Sequence, residues 1–348
     1  MSLIDRKQIE AGVLNMFKAN MGLQPGEKIL VVSDPPALAN WSSLDSAELE
    51  RMVERCLLAK TVAEIAAEHF KQNPVDFYAY PAVARSGAEP EPELGRRMAA
   101  ADVVIAITNR SLSHTDARQD ACRAGARIAS MPGFTARMFF ADGPMSADYQ
   151  EVDRITQPVA RRLSEAHEAV VRSPAGTDIR VRLDGRKAIA DNGLFVHKGD
   201  FGNLPAGEGF IAPVEGSAEG QLVVEPGWAR GLSEKMTLRF QQGYVTQVSG
   251  GGAVGDNLRK TLGFDGGGDA PLERRNLAEL GVGTNPKARS TESVLEAEKI
   301  LGTVHIAIGD NAHIGGAVTA DLHMDFVLPH TVLILDGQTV MADGKLLI

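Results

Sequence analysis

Short apolar runs alternate with helical segments through the first half of the chain, and this alternation restricts the fold more than any other feature. The run Lys28–Ser33 follows a Pro25-Gly26 turn and has the form of a buried strand. The segment Ser46–Lys71 has apolar residues at the spacing of an amphipathic helix. The pattern continues with strands at Asp76–Tyr80, Asp102–Thr108 and Arg127–Met131 and with helices at Glu91–Ala101, Ala117–Ala124 and Asp148–Val171. Because strands joined by helices run parallel, the sequence predicts an α/β domain with a parallel sheet.

The pattern changes near residues 165–175, at a turn-forming stretch that contains Pro174 and Gly176. Beyond it, Asp178–Leu183 alternates polar and apolar residues, as half-buried antiparallel strands do. Short segments with glycine-rich turns follow, including the triplets 250–252 and 266–268, and one helix is expected near Thr291–Ile300. We therefore predict an N-terminal α/β domain at residues 1–170. A mixed, largely antiparallel, β-rich α+β domain is predicted at residues 171–348.

Charge and cysteine content exclude several classes of protein. Lysine and arginine number 36 against 45 aspartates and glutamates, and the net charge of −9 disfavours a nucleic acid partner. Two cysteines cannot form a disulfide framework or a cysteine-rich zinc site. No signal-peptide core opens the sequence, and no run approaches the ~18 apolar residues of a membrane span, so we expect a cytoplasmic protein without a membrane partner. No strand is followed by a glycine-rich nucleotide-binding motif, which disfavours nucleotide binding.

Histidines are concentrated near the end of the chain. Four of the eight lie there, namely His305, His313, His323 and His330. His323 and Asp325 form an H-x-D pair, and in a strand residues i and i+2 share one face. His305 lies in a second alternating segment, Thr303–Ile308, and the glycine-containing loop 309–316 lies between the two. Because imidazole and carboxylate bind zinc, cobalt, manganese and ferrous iron, the sequence predicts a metal site.

Two glutamates lie in surroundings that are unusual for a carboxylate. Glu208 lies in a turn that leads into a strand, and Glu279 lies in an apolar, glycine-rich segment. An uncompensated carboxylate in such surroundings is costly, so each glutamate is either exposed or meets a cationic group.

The C-terminal half resembles the family of metallo-aminopeptidases that contains aminopeptidase T and aminopeptidase S. The matching segments are, in order, Gly176-Thr177-Asp178, the N-x-P-x-x-E-x-F-x-x-P stretch Asn203–Pro213, Ala278–Gly281, His305–Gly309, Gly315-Gly316 and His323–Asp325. The resemblance implies two divalent ions of zinc, cobalt or manganese held by Glu208, Glu279, His305, His323 and Asp325. It also implies a homodimer and a catalytic, metal-binding C-terminal domain.

The chemistry implied by this resemblance is hydrolysis of peptides, or of another small molecule, by a water that two metal ions activate. Glu208 or Glu279 would bridge the metals or carry a proton to the leaving amine. The family's peptidases have a tyrosine where this chain has Ala312, and we hypothesise that the adjacent His313 replaces it as a hydrogen-bond donor. A further acidic residue of the family is matched most closely by Glu298, which we expect to face solvent.

Two other functions remain open. The ring-cleaving dioxygenases that act on 2,5-dihydroxypyridine resemble the same peptidase family and use one ferrous iron held by two histidines and an aspartate. His323 and Asp325 would serve there too, although retention of Glu208 and Glu279 favours the two-metal hydrolase. A binding module without enzymatic activity is the third possibility. The number of metal ions per chain would separate the three.

Overall fold

The structure is a computed structural model that describes residues 4–265 and 270–348. The chain divides into two compact units, Met1–Tyr149 with Gly193–Ala206 and Gln150–Asn192 with Gly207–Ile348. The domain division at residues 170 and 171 remains a prediction, and the glycine triplet 266–268 lies outside the described residues. Among the helices that are described, none combines the length and the apolar character needed to cross a membrane.

A five-stranded parallel sheet forms the centre of the first unit, with the strand order β2-β1-β3-β4-β8. Its strands are β1 (Ile29–Ser33), β2 (Val75–Ala79), β3 (Val103–Ala106), β4 (Arg127–Ser130) and β8 (Phe201–Asn203). Its helices are α1 (Arg6–Asn15), α2 (Ser46–His69), α3 (Pro92–Ala99) and α4 (Asp116–Ala124). Every residue of β1, β3 and β4 is buried, as expected for parallel strands that are covered on both faces.

Side-chain caps fix the ends of the helices between these strands. The Asp45 side chain accepts a hydrogen bond from the Glu48 backbone N–H at the start of α2. Thr115 caps the start of α4 in the same way, and α4 ends at Gly125, whose φ of 105° suits glycine. These elements confirm the alternation of strands and helices that the sequence predicts for residues 28–131.

Asp34, directly after β1, makes stability of the first unit depend on pH. Its buried carboxylate accepts hydrogen bonds from the backbone of Asn109 and Arg110, but burial outweighs these and raises its pKa from 3.8 to about 6. The folded chain therefore holds a proton that the unfolded chain has lost between these pH values. This proton contributes about 3 kcal/mol to the free energy of unfolding at low pH. The contribution is lost as the pH rises towards 6.

The variant Asp34→Asn should lack this dependence. We expect the unfolding free energy of the wild type, relative to the variant, to fall by about 2 kcal/mol between pH 4 and pH 7. Urea denaturation at several pH values measures the difference. A difference that does not change with pH would contradict the burial argument.

Two antiparallel sheets make up the second unit. The larger sheet has the order β12-β11-β10-β6-β5-β16-β17-β18, and the smaller one has the order β15-β14-β13-β9-β7. The strands of the larger sheet are β5 (Glu168–Arg172), β6 (Asp178–Arg182), β10 (Glu219–Val224), β11 (Met236–Gln241), β12 (Tyr244–Gly250), β16 (Val332–Leu335), β17 (Gln338–Ala342) and β18 (Lys345–Leu346). Those of the smaller sheet are β7 (Ile189–Asp191), β9 (Glu208–Ile211), β13 (Leu277–Gly283), β14 (Val304–Gly309) and β15 (His323–Leu328). The helices are α5 (Tyr149–Glu165), α6 (Gly252–Thr261) and α7 (Val294–Ala297).

One apolar core joins both sheets of this unit. It includes Ile179 and Leu222 from the larger sheet and Ile306 and Phe326 from the smaller sheet. An α/β region followed by largely antiparallel sheets confirms the predicted fold class.

Two helices are shorter in the structure than the sequence predicts. The helix predicted at Asp148–Val171 ends at Glu165, and β5 begins at Glu168. The β-branched Val170 and Val171 in this stretch pair with β6 and β16, so pairing outweighs helical periodicity. The helix predicted at Thr291–Ile300 is reduced to the single turn of α7.

Candidate metal centre

The five predicted ligands lie on four neighbouring strands of the smaller sheet. Glu208 begins β9, Glu279 lies in β13, His305 lies in β14, and β15 carries both His323 and Asp325. The sequence alone does not place Glu208 and Glu279 near the histidines. Antiparallel pairing of β9, β13, β14 and β15 brings them together.

Strand register places all five side chains on the same face of the sheet. The cross-strand pairs are Gly281 with His305, Ala307 with Glu279 and with Asp325, Gly283 with Glu208, and Gly309 with His323. Residues directly opposite each other share a face, and so do residues two positions apart on one strand. The pattern of alternation therefore directs acids and imidazoles from separate parts of the chain towards one region.

Gly281 leaves the space that the His305 ring occupies. A Cβ atom added to Gly281 would lie 2.0 Å from Nε2 and 2.2 Å from Cε1 of His305. Real Cβ contacts are not this short, so the imidazole packs directly against the backbone of β13. Glycine at this position is a condition for the placement of His305.

The ligand atoms form two groups that share Glu279. Glu208, Glu279 and His305 offer atoms that lie within 4.8 Å of one another, and so do Glu279, His323 and Asp325. In the first group, Nε2 of His305 lies 3.1 Å from Glu279 and 3.3 Å from Glu208. In the second group, Nε2 of His323 lies 3.4 Å from Glu279 and 3.6 Å from Asp325.

The two histidines are held differently. Nδ1 of His323 lies 2.7 Å from the backbone oxygen of Asp310, so an N–H on Nδ1 donates to that carbonyl and Nε2 is directed at Glu279 and Asp325. Metal-binding histidines are oriented by this kind of hydrogen bond. Nδ1 of His305 is buried and has no hydrogen-bond partner within the described part of the chain. Only His323 therefore combines a fixed Nδ1 with an Nε2 directed at two carboxylates.

Without a metal ion, protons on the two imidazoles balance the negative charge of the carboxylates in this cluster. Burial opposes charge on His305, but its hydrogen bond to Glu279 and the charge of Glu208 raise its pKa to about 9. Burial is likewise outweighed at His323, whose pKa is raised well above its usual value by Asp325 and Glu279. Burial would raise the pKa of Glu279, yet hydrogen bonds from the two imidazoles hold it below the usual range. The carboxylates of this cluster are therefore stabilised by positive charge placed next to them.

The loop between β14 and β15 is held by a network around Glu215. Its carboxylate accepts hydrogen bonds from the Asn311 side chain at 3.0 Å and from the Ala317 backbone at 2.8 Å, and it pairs with Arg186. Asp310 in the same loop accepts a bond from the Ala320 backbone at 3.0 Å. Because the carbonyl of Asp310 orients His323, this network also fixes the imidazole.

His313 lies beside the centre but outside both ligand groups. Its Nδ1 lies 2.5 Å from a carboxylate oxygen of Asp310, and its ring packs edge to face on His323 with centroids 5.3 Å apart. Burial lowers the pKa of His313 despite the contact with Asp310. This imidazole is therefore neutral near pH 7.

Lys299 is a site residue that the sequence analysis missed. Its side chain is 1% exposed, and its ammonium lies 2.5 Å from Glu208, 2.8 Å from Glu298 and 3.8 Å from Asp191. Burial would lower its pKa, but these carboxylates raise it well above the usual value. The sequence signal was weak, because a single lysine between Ala297 and Ile300 resembles a residue on a solvent-exposed helix face.

Glu298 does not face solvent as predicted. Its side chain is 13% exposed and lies against Lys299. Burial raises its pKa to about 8, although the neighbouring ammonium opposes this. The short helix α7 ends before Glu298, so helical periodicity does not determine where this side chain lies.

The residues present fit a divalent metal ion. Imidazole nitrogen and carboxylate oxygen are the donor types that first-row divalent ions take in proteins. Donors bound to one ion at about 2.1 Å lie about 3–3.5 Å apart, and the His323 contacts at 3.4 Å and 3.6 Å approach this spacing. The buried Oε2 of Glu208 has no hydrogen-bond partner among the described residues and lies 3.3 Å from Nε2 of His305.

Comparison with known proteins identifies the family. The family model described as NicX: 2,5-dihydroxypyridine 5,6-dioxygenase matches residues 13–348. A 2,5-dihydroxypyridine 5,6-dioxygenase of Pseudomonas putida is 26% identical over 266 residues, which cover 72% of each chain.

Two solved structures share the fold. The 2,5-dihydroxypyridine dioxygenase from Pseudomonas putida has a TM-score of 0.74 at 19% identity, over 99% of this chain and 98% of that one. Wild-type AmpT from Thermus thermophilus has a TM-score of 0.63 at 15% identity, over 98% of this chain and 99% of that one. At these identities the two structures establish the fold alone.

The predicted aminopeptidase activity, and with it the assignment as a hydrolase or protease, is wrong. The family model and the curated relative both favour the dioxygenase alternative. The dioxygenase structure and the AmpT structure both share the fold of this chain, so a likeness to the peptidases does not decide the reaction. By the match over residues 13–348, this chain belongs to the NicX family of 2,5-dihydroxypyridine 5,6-dioxygenases.

Proposed function

We propose that this chain is a dioxygenase that opens the ring of a dihydroxypyridine, or of a closely similar nitrogen-containing aromatic diol, with one ferrous ion. The orientation of His323 is the observation that most strongly supports the metal site. Its Nδ1 is taken by the Asp310 carbonyl, so its Nε2 faces the oxygens of Glu279 and Asp325. Once His323 has lost its proton, lone pairs from three side chains converge there, and one divalent ion would satisfy all three. Membership of the dioxygenase family supports iron as that cation.

Glu279, His323 and Asp325 are the proposed ligands. Many ferrous oxygenases use two histidines and one carboxylate on one side of the ion. Here the second imidazole, His305, falls in the other group and lies 3.1 Å from Glu279. We therefore propose that His305 holds Glu279 in place and does not bind the ion. A second carboxylate then takes the ligand position that the second histidine has in those oxygenases.

When bound, ferrous iron would supply the redox chemistry that lets electrons pass from the aromatic diol to dioxygen. The chain would contribute ligands from β13 and β15 of one sheet. The buried Glu279 also keeps bulk water from one side of the centre, since its side chain is 7% exposed. A homodimer remains a prediction.

His313 is proposed to accept a proton from a substrate hydroxyl. Asp310 holds Nδ1 of His313, and burial favours the neutral ring, which is the form that accepts a proton. The ring also packs against His323, which brings the base next to the ion that a substrate oxygen would bind.

The variant His313→Ala should slow turnover without removing the metal. We expect kcat to fall by about 10²–10⁴-fold, the usual contribution of a positioned base, while the metal content stays that of the wild type. Oxygen uptake and elemental analysis measure the two quantities. His330→Ala is the matched control, because His330 is 70% exposed. Unchanged turnover in His313→Ala would remove the assigned role.

Reconstitution under anaerobic conditions tests the function itself. Purified protein loaded with ferrous iron should consume one dioxygen for each 2,5-dihydroxypyridine, and both atoms of labelled dioxygen should appear in the product. Zinc-loaded protein serves as a control that has a bound ion without redox chemistry. Iron-loaded protein that consumes no oxygen with any dihydroxypyridine would contradict the proposal.

A further inference from the structure

A buried ammonium lies within the group of acids next to the proposed iron site. Lys299 contacts three carboxylates, at 2.5 Å from Glu208, 2.8 Å from Glu298 and 3.8 Å from Asp191. All three acids are largely buried, with side chains 8%, 13% and 10% exposed. Buried carboxylates need a cation within contact distance, and this lysine supplies one.

The position of this ammonium bears on how many metal ions the centre can hold. The two ligand groups share Glu279, and a two-metal centre would place one ion in each. In the group that contains Glu208, one carboxylate oxygen already binds Lys299 and the other lies 3.3 Å from His305. A divalent ion bound there would lie against a fixed positive charge.

We infer that Lys299 takes the place of a second metal ion and limits the centre to one divalent ion, held by Glu279, His323 and Asp325. This inference rests on the proposed function, because it assumes that the second ligand group holds a metal. Lys299 is a positioning residue in this scheme: it fixes Glu208 and neutralises it without touching the substrate.

Burial explains why the lysine cannot simply move aside for a metal. The side chain is 1% exposed, so displacing the ammonium would leave a desolvated charge without its carboxylates. A neutral side chain of similar length at position 299 would remove the positive charge that opposes a second ion. The acids Glu208, Glu298 and Asp191 would then lose the charge of the ammonium, and a divalent ion could supply it.

The number of bound manganese ions tests the inference. Full-length wild type, Lys299→Met and Lys345→Met are saturated with Mn²⁺, freed of excess ion and analysed for metal content. Lys345 is exposed, so Lys345→Met controls for the loss of one lysine charge. We expect one ion per chain in the wild type and the control. Lys299→Met should hold two ions, with an exchange-coupled signal in electron paramagnetic resonance.

A second variant decides the matter if Lys299→Met does not fold. Glu208→Gln removes the acid that the ammonium neutralises and leaves the proposed iron ligands intact. We expect it to retain one ion with an affinity reduced by no more than about 10- to 100-fold, the range for a residue that does not touch the metal. Loss of the ion would place the metal at Glu208 and overturn the inference.

The possible outcomes separate this inference from the proposed function. Two ions in the wild type, or one ion in a folded Lys299→Met, overturn the inference alone. A wild type without any bound ion overturns both. One ion in the wild type and two in Lys299→Met support the inference even if the iron-loaded enzyme consumes no oxygen, in which case only the proposed function fails.

Discussion

Replacing His323 with alanine should empty the metal centre and abolish oxygen uptake. The variant loses the imidazole nitrogen that faces Glu279 and Asp325 at 3.4 Å and 3.6 Å, and the two remaining carboxylates repel each other without it. We expect bound iron to fall from about one ion per chain to less than about a tenth. Asp325→Asn should act in the same direction, because it keeps the shape of the side chain but removes its negative charge.

Elemental analysis and circular dichroism separate this effect from unfolding. A folded His323→Ala protein without iron supports the assignment of the ligand. His330→Ala is the control, since His330 is exposed and lies 3.0 Å from Asp343 at the surface. Full iron content in folded His323→Ala would contradict the site, whatever its effect on turnover.

Gly281→Ala should damage the centre from the neighbouring strand. The added Cβ would lie 2.0 Å from Nε2 of His305, so the imidazole must move and Glu279, 3.1 Å from that nitrogen, loses its support. Overpacking of this kind costs about 1–3 kcal/mol of unfolding free energy. We also expect iron affinity to fall, because Glu279 is a proposed ligand.

A second glycine provides the comparison for this variant. Gly95 lies in α3, and a Cβ added there meets its nearest neighbour, Ala117, at an ordinary 3.5 Å. Gly95→Ala should leave iron binding unchanged and stabilise the helix by up to about 1 kcal/mol. Urea denaturation and iron titration measure both variants. Equal iron affinity in Gly281→Ala and the wild type would show that His305 has no influence on the centre.

Strand periodicity made part of the centre predictable from the sequence. His323 and Asp325 lie two residues apart in a segment that alternates, and the structure places both on one face of β15. No local pattern shows that β9 and β13 pair beside β14, so Glu208 and Glu279 could be placed only by resemblance. That resemblance extended to a fold shared by two kinds of enzyme, which is why it indicated the wrong reaction.

Other features depend on tertiary contacts that sequence patterns do not contain. Lys299 contacts Glu208 in a part of the chain where its backbone oxygen accepts a hydrogen bond from the backbone N–H of Asn285, after β13. The helix predicted through Val171 ends early because β5 finds partners on both sides. The strand β8 has only three residues, and its place beside β4 depends on a segment that is distant along the chain.

The position of β8 has a consequence for synthesis on the ribosome. Asn203 pairs with Ser130, yet residues 150–192, which belong to the second unit, are made in between. The parallel sheet therefore keeps an open edge at β4 until translation has passed Ala206. During that interval the backbone N–H of Ile128 and the backbone oxygen of Ser130 lack the hydrogen bonds that Asp200 and Leu204, on either side of β8, later make with them. A nascent chain that stalls within this interval would expose a template for association with other chains.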